Sequence, residues 1–81
     1  MKLDVQFFAR YREVLGVDAE RIEGDFADIE ELRQHLLQRG EAWQVLAEQS
    51  LMCARNQELC GVDEALVDGD EVAFFPTVTG G

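Results

Sequence analysis

The sequence predicts an α+β fold in which a mixed β-sheet carries one main helix on one face. Residues 3–9 alternate between apolar and polar side chains, which is the period of a strand with one buried face. A helix is predicted from Asp28 to Arg39, where apolar residues recur along one side. The apolar segment 71–75 is predicted to be the last strand, because Pro76 has no backbone N–H with which to continue a sheet ladder.

The first half of the chain is predicted to form a hairpin followed by the main helix. A helical turn over 11–15 leads from the first strand to a second strand over 19–23. Asp28 is predicted to cap the main helix, and Glu31, at the third position, to complete a start that is like a capping box. Phe8 falls on the polar face of the first strand, whose buried face contains Leu3, Val5, Phe7 and Ala9.

The second half is predicted to form a second hairpin and then the final strand. A short helix over 42–46 precedes two strands at 51–54 and 59–62, which a two-residue turn at 56–57 connects. A tight turn over 68–70 starts the last strand. With that strand parallel to the first, the arrangement is the β-grasp fold of ubiquitin-like proteins. The predicted core consists of Leu3, Val5, Phe7, Ile29, Leu32, Leu36, Val72 and Phe74.

The composition is that of one folded domain, expected to span 1–75, followed by a flexible tail over 76–81. The formal net charge of −10 would repel phosphate backbones and anionic lipids, so nucleic acids and membranes are not expected as partners. No segment has the pattern of a signal peptide or a membrane span, and the expected location is the cytoplasm. Cys53 and Cys60 are expected to be free thiols that face each other across the second hairpin.

The sequence predicts an interaction surface instead of a catalytic or metal site. The one histidine, His35, is expected on the helix surface, and no metal-ligand spacing or phosphate-binding glycine loop occurs. Phe8 and Phe75 are predicted to point outward from neighbouring strands, with Leu59 beside them. An exposed apolar patch of this kind is typical of a protein interface.

The residues after Pro76 are expected to form an extended tail that ends in Gly80 and Gly81. Because glycine has no Cβ atom, such a tail can enter a narrow channel and bring the Gly81 carboxyl group close to a reactive centre. Val78 and Thr79 are the expected docking contacts of the tail.

Several segments resemble the small, sulfur-carrying subunits of molybdopterin synthases, which are ubiquitin-like β-grasp proteins. The resemblance is most specific where EVAFFP at 71–76 leads to VTGG at 78–81. It extends to four further segments and so spans the chain: 5–9, 12–16, 29–36 and 54–57. The sequence departs from the pattern at Thr77, where some relatives carry a second proline.

This resemblance implies that Gly81 is the reactive residue. An E1-like adenylyltransferase would activate its carboxyl group with ATP, and a persulfide-bearing sulfurtransferase would supply the sulfur of a thiocarboxylate. The large subunit of molybdopterin synthase would hold cyclic pyranopterin monophosphate, the acceptor that becomes the molybdopterin dithiolene. The implied assembly is a heterotetramer of two large and two small subunits, and no cofactor is expected to be bound to the small subunit itself.

Three other functions remain open from the sequence. The sulfur carrier of thiamin biosynthesis shares the fold and the Gly-Gly end, but it is usually shorter and is not expected to need the insertion at 41–49. A protein modifier would instead be joined to lysines, and a noncovalent β-grasp interaction module would not use its tail. The intact mass separates a sulfur carrier from a modifier and from a binding module, because sulfur loading raises the mass of the chain, conjugation gives a ladder of high-mass products, and noncovalent binding leaves the mass unchanged.

Overall fold

The computed structural model describes residues 1–77, which form one five-stranded mixed sheet with helices packed on one face. The strands are β1 (Lys2–Phe7), β2 (Ala19–Glu23), β3 (Met52–Arg55), β4 (Glu58–Cys60) and β5 (Glu71–Phe75). The helices are α1 (Arg10–Leu15), α2 (Ile29–Leu37) and a 3₁₀ helix (Glu41–Ala47). The strand order is β2-β1-β5-β3-β4, with β1 and β5 parallel and the other neighbours antiparallel. The predicted β-grasp fold is confirmed.

The core lies between the sheet and the helices, and all eight predicted core residues are buried. Phe7 stacks with Phe74 at 6.3 Å between ring centroids and meets the edge of Trp43 at 5.6 Å. Trp43 is therefore a packing residue. The core also contains residues outside the predicted set: Tyr11, Ile22, Phe26, Leu46, Cys53 and Leu66.

The start of α2 shows the predicted cap. The Asp28 carboxylate accepts a hydrogen bond from the Glu31 N–H at 2.9 Å, and the Glu31 carboxylate accepts one from the Ala27 N–H at 3.0 Å. The bond to Asp28 satisfies a backbone donor that the helix leaves unpaired at its first turn, whereas the Glu31 carboxylate pairs the N–H of Ala27, the residue before the cap. The helix consequently begins at a fixed position over the sheet.

Several predicted boundaries are wrong, including those of the strand expected at 51–54, which is β3 at Met52–Arg55. β1 ends at Phe7, because Ala9 has φ 54° and ψ −129° and its exposed side chain lies outside the sheet. α2 ends at Leu37 and not at Arg39, and a 3₁₀-type bond from the Arg39 N–H to the Leu36 carbonyl follows at 3.1 Å. β4 ends at Cys60 and not at Val62, whose carbonyl accepts from the Glu30 N–H at 2.9 Å.

The segment predicted as a short helix over 42–46 is the 3₁₀ helix Glu41–Ala47. Its residue Leu46 is fully buried, so the segment closes one side of the core. No helix in residues 1–77 is both long enough and apolar enough to cross a membrane.

Candidate functional site

The candidate interface is the outward face of β5, β3 and β4. Met52 of β3 lies directly opposite Phe75 of β5, and Ala54 lies opposite Leu59 of β4. Phe8 follows the last residue of β1, and its N–H donates to the Phe74 carbonyl at 3.1 Å, continuing the β1–β5 ladder. The backbone therefore places Phe8 beside Phe75, as their positions in the sequence predict.

The exposure of these side chains differs across the surface. Leu59 is 69% exposed and Phe8 is 42% exposed, in agreement with the prediction. Phe75 is only half-buried, because β5 is the central strand and Phe75 has neighbours on both sides. Met52, which is 36% exposed, was not in the predicted patch. We call Phe8, Met52, Leu59 and Phe75 the apolar patch.

The outward position of Met52 could have been predicted from the sequence by the alternation of side chains along a strand. In a strand, side chains alternate between faces, and Met52 is separated by one residue from Ala54 on the outward face. The pairing with Phe75 could not have been found this way, because it depends on the register between β3 and β5. The role of the apolar patch in binding stays a prediction.

The tail starts next to this patch. β5 ends at Phe75 before Pro76, as predicted, and the Thr77 hydroxyl donates a hydrogen bond to the Ser50 carbonyl. The predicted docking residues and reactive residue, Val78, Thr79, Gly80 and Gly81, lie outside the described residues.

A polar cluster holds the loop that contains Ser50. The Glu48 carboxylate accepts two hydrogen bonds from Arg10, at 2.9 and 3.1 Å, and one from the Tyr11 hydroxyl at 2.8 Å. Burial and the bond to Glu48 raise the pKa of Tyr11 to about 12. The bonds from Arg10 and Tyr11 hold the pKa of the Glu48 carboxyl below its ordinary value. The cluster is therefore charged and intact at neutral pH.

A second polar cluster at the opposite end of β5 explains the predicted turn at 68–70. Asp70 is buried, and its carboxylate accepts from Arg55 Nε at 2.7 Å, Asn56 Nδ2 at 3.0 Å and the Val67 N–H at 2.8 Å. Burial alone would raise the pKa of Asp70, but these hydrogen bonds lower it below its ordinary value. Asp70 is thus a structural residue of the turn.

The two cysteines are free thiols in directly paired positions on β3 and β4. Cys53 is buried, and its Sγ lies 3.3 Å from the Cys60 carbonyl oxygen, to which it donates. Burial raises the pKa of the Cys53 thiol to about 12 and also raises the pKa of the Cys60 thiol. Neither thiol has the lowered pKa that makes a cysteine nucleophilic.

His35 is exposed on α2, as predicted, and its ring lies 5.2 Å from the Phe26 ring. Within residues 1–77, no group of three or more His, Cys, Asp or Glu side chains could hold a metal ion.

Comparison with known proteins identifies the family. A family model described as the ThiS family matches residues 5–81. The chain belongs to the ThiS family. A relative from Haemophilus influenzae, named molybdopterin synthase sulfur carrier subunit, is 50% identical over 98% of this chain and 99% of its own length. A protein of the same name from Escherichia coli K12 is 48% identical over the same shares. The predicted resemblance is confirmed.

Solved structures share the fold of this chain. The crystal structure of SAMP1 from Haloferax volcanii superposes with a TM-score of 0.83 at 27% identity and full coverage of both chains. A protein–protein complex of subunits 1 and 2 of the molybdopterin-converting factor from Helicobacter pylori matches with a TM-score of 0.70 at 29% identity, again over both full chains.

Proposed function

We propose that this chain is the sulfur carrier subunit of a molybdopterin synthase and that the carboxyl group of Gly81 carries the sulfur. What supports this most is the match over the full length to curated carriers at 50% and 48% identity. The geometry is consistent with it, because the central strand β5 carries part of the apolar patch and leads directly to the tail. The chain acts as a sulfur donor and has no catalytic site of its own.

The proposed chemistry takes place on partners. An E1-like adenylyltransferase joins the Gly81 carboxylate to AMP from ATP and releases pyrophosphate. The outer sulfur of a persulfide on a sulfurtransferase then displaces AMP and forms an acyl disulfide with Gly81. A second thiol attacks the S–S bond, which releases the thiocarboxylate and leaves a disulfide between the two thiols. The large subunit transfers this sulfur to cyclic pyranopterin monophosphate. Because a dithiolene contains two sulfur atoms, two loaded carriers are consumed for each product.

The proposed partners use the same surface in turn. The apolar patch would bind the large subunit and, in another step, the activating enzyme, while Val78, Thr79 and Gly80 would lie in the partner's channel. We propose residues 76–81 as the segment that reaches the active site, beyond the folded domain of residues 1–75. The assembly is a heterotetramer of two large and two small subunits. The free thiols Cys53 and Cys60 fit a reducing compartment, so we place the carrier in the cytoplasm.

A protein modifier is the second candidate, because SAMP1 and a protein named small archaeal modifier protein 1 are among the similar structures. The two functions give different products. A carrier gains the mass that replaces one oxygen by sulfur, whereas a modifier forms a ladder of conjugates at high mass. Intact mass spectrometry of protein purified from its native host separates them.

The decisive assay combines the purified chain with the E1-like enzyme, a sulfur source, ATP and the large subunit. We expect Gly81→Ala to bind the large subunit normally but to be loaded poorly. A Cβ atom at position 81 would displace the reacting carbon, and a displacement of about 1 Å can cost on the order of 100-fold in rate. Deletion of Gly81 should abolish transfer. Conversion of the pterin precursor by a chain that lacks Gly80 and Gly81 would overturn the proposal.

A further inference from the structure

The β3–β5 pairing extends beyond its backbone ladder through a side chain. The last ladder pair is Met52 with Phe75, and the same register places Ser50 opposite Thr77. The odd-numbered residues of β5 direct their backbone groups towards β3, as the bond from the Asn56 N–H to the Glu71 carbonyl shows, so Thr77 is the next position of this ladder after Phe75. At this position the Thr77 hydroxyl donates to the Ser50 carbonyl. The first residue after the proline is therefore attached to the domain.

The loop that accepts this bond is held by α1. The Leu51 N–H donates to the Glu48 carbonyl at 3.2 Å, which closes the turn around Ser50. The Glu48 side chain is in turn fixed by Arg10 at 2.9 and 3.1 Å and by the hydroxyl of Tyr11 at 2.8 Å. Tyr11 is fully buried, so this attachment reaches the core.

The same loop is also held by α2. Arg33 donates from Nε to the Leu46 carbonyl at 2.6 Å and from Nη2 to the Glu48 carbonyl at 3.4 Å. Arg33 is itself oriented by the Glu30 carboxylate at 3.0 Å. The loop after the 3₁₀ helix thus contacts both α-helices through charged groups.

We propose that residues 48–51 and Thr77 form a tail bracket, which fixes the direction in which the tail leaves the sheet. Thr77 and Glu48 are then positioning residues for delivery of the Gly81 carboxyl group. This inference rests on the proposed function and deepens it. Holding the first residue of the tail reduces the number of directions that the tail samples, so less ordering is needed when the tail enters a partner's channel.

The tail bracket also gives the segment 41–49 a function. Its 3₁₀ helix closes the core through Leu46, and its end supplies Glu48, the residue through which α1 orients the loop. The segment therefore couples the packing of the domain to the first residue of the tail. A carrier without this segment would have to orient its tail in another way.

The first test compares Thr77→Val, which keeps the shape but loses the hydroxyl, with Thr77→Ser, which keeps the hydroxyl. Each chain is loaded as the thiocarboxylate and mixed with the large subunit and the pterin precursor in single-turnover reactions. We expect Thr77→Val to transfer sulfur about 2- to 10-fold more slowly, the range that the net loss of one hydrogen bond implies. Thr77→Ser should restore the rate, and binding measured by calorimetry should be unchanged in both variants.

A second readout does not depend on catalysis. The heteronuclear NOE of the Thr77 amide should fall in Thr77→Val and return in Thr77→Ser. Glu48→Ala should lower the NOE of the Thr77 amide as well. In the double variant Glu48→Ala and Thr77→Val, this NOE should be no lower than in Thr77→Val alone, because the two substitutions act through one contact.

The outcomes separate the two proposals. If the wild-type chain carried no sulfur, the proposed function would fall, and the delivery role would fall with it. If the wild-type chain transferred sulfur and Thr77→Val matched it, the tail bracket alone would be overturned. Faster transfer by Thr77→Val would also overturn it, since the bond would then be a restraint that has to open.

Discussion

Met52 of β3 lies directly opposite Phe75 of β5, so a thioether and a phenyl ring share the outward face of the sheet. Phe8 and Leu59 flank this pair and are both exposed. The apolar patch consequently runs across most of the sheet. Methionine is flexible and polarisable, and it adapts to surfaces of different shape. Such a residue suits a patch that, under the proposed function, binds the large subunit and the activating enzyme in turn.

We expect Phe75→Ala to weaken binding of the large subunit about 10-fold or more, because buried aromatic side chains dominate interface energies. The fold should be retained, since Phe75 points away from the core that Val72 and Phe74 fill. Calorimetric titration with the large subunit measures the effect.

Val67→Ala provides the control for this change. Val67 is 55% exposed, but it precedes the turn at the other end of β5 and lies outside the apolar patch. Binding should be unaffected by this substitution. Equal affinities of Phe75→Ala and the wild-type chain would show that the apolar patch is not the interface.

The main helix is expected to be sensitive to truncation at Leu32. This side chain is fully buried between α2 and the sheet, so Leu32→Ala should lower the free energy of unfolding by about 2–5 kcal/mol. Gln38→Ala, at the exposed end of the same helix, should have little effect. Denaturation in urea checks both variants, and an unchanged midpoint for Leu32→Ala would contradict the assignment of the core.

Asp70 should make stability depend on pH in the acidic range. Its pKa is lower in the folded chain than in the unfolded chain, so its contribution is complete above the unfolded value, about 3.9. The contribution is lost as the pH falls through the folded value. Asp70→Asn should therefore destabilise the protein at neutral pH and flatten the decline in melting temperature below about pH 4.

Thermal melts of both proteins between neutral and acidic pH measure this difference. Asp68→Asn is the matched control, because Asp68 is exposed and accepts from the Lys2 N–H at 2.7 Å instead of joining the buried cluster. If the melting temperature fell in parallel with pH in the wild-type chain and in Asp70→Asn, Asp70 would not be responsible for the loss of stability in acid.

The cysteines should react slowly with alkylating reagents while the protein is folded. Burial raises the pKa of both thiols, so we expect modification at about pH 8 to be at least about 10-fold slower than in denaturant. Cys60, which is the less buried of the two, should react first. Timed alkylation followed by intact mass measures this.

The same thiols should be dispensable for carrying sulfur. A chain with Cys53→Ala and Cys60→Ala should still be loaded on Gly81, since neither thiol has the character of a nucleophile. Loss of sulfur loading in this variant, with the fold retained, would point to a persulfide on a cysteine.

The sequence predicted the sheet because local patterns determine most of it. The alternation of Leu3, Val5 and Phe7 identifies a half-buried strand, and Pro76 marks the end of the last strand. The end of β1 could not be predicted, because alternation continues formally to Ala9. The positive φ of Ala9 is a conformation that alanine rarely adopts and that the surrounding structure has to impose.

The contacts of Thr77 and Glu48 could not be predicted from the sequence either, because they depend on the tertiary structure. Thr77 and Ser50 are separated by 27 positions, and they meet only after β3 and β5 have paired in the correct register. Glu48 likewise reaches Arg10 and Tyr11 across 37 or 38 positions. No periodicity in the sequence encodes such pairs, whereas the two-residue turn at 56–57 was visible locally.

The parallel pairing of β1 with β5 also determines when this protein can fold during its synthesis. Val5 pairs with Val72, so the two central strands come from distant parts of the chain, and contacts of this range slow folding. A nascent or truncated chain that stops before Glu71 leaves β1 and β3 without the strand that joins them. Every folded copy therefore contains the strand that leads to the tail. A chain that stops before Glu71 therefore lacks both Phe75 and the tail, and it cannot present the complete apolar patch.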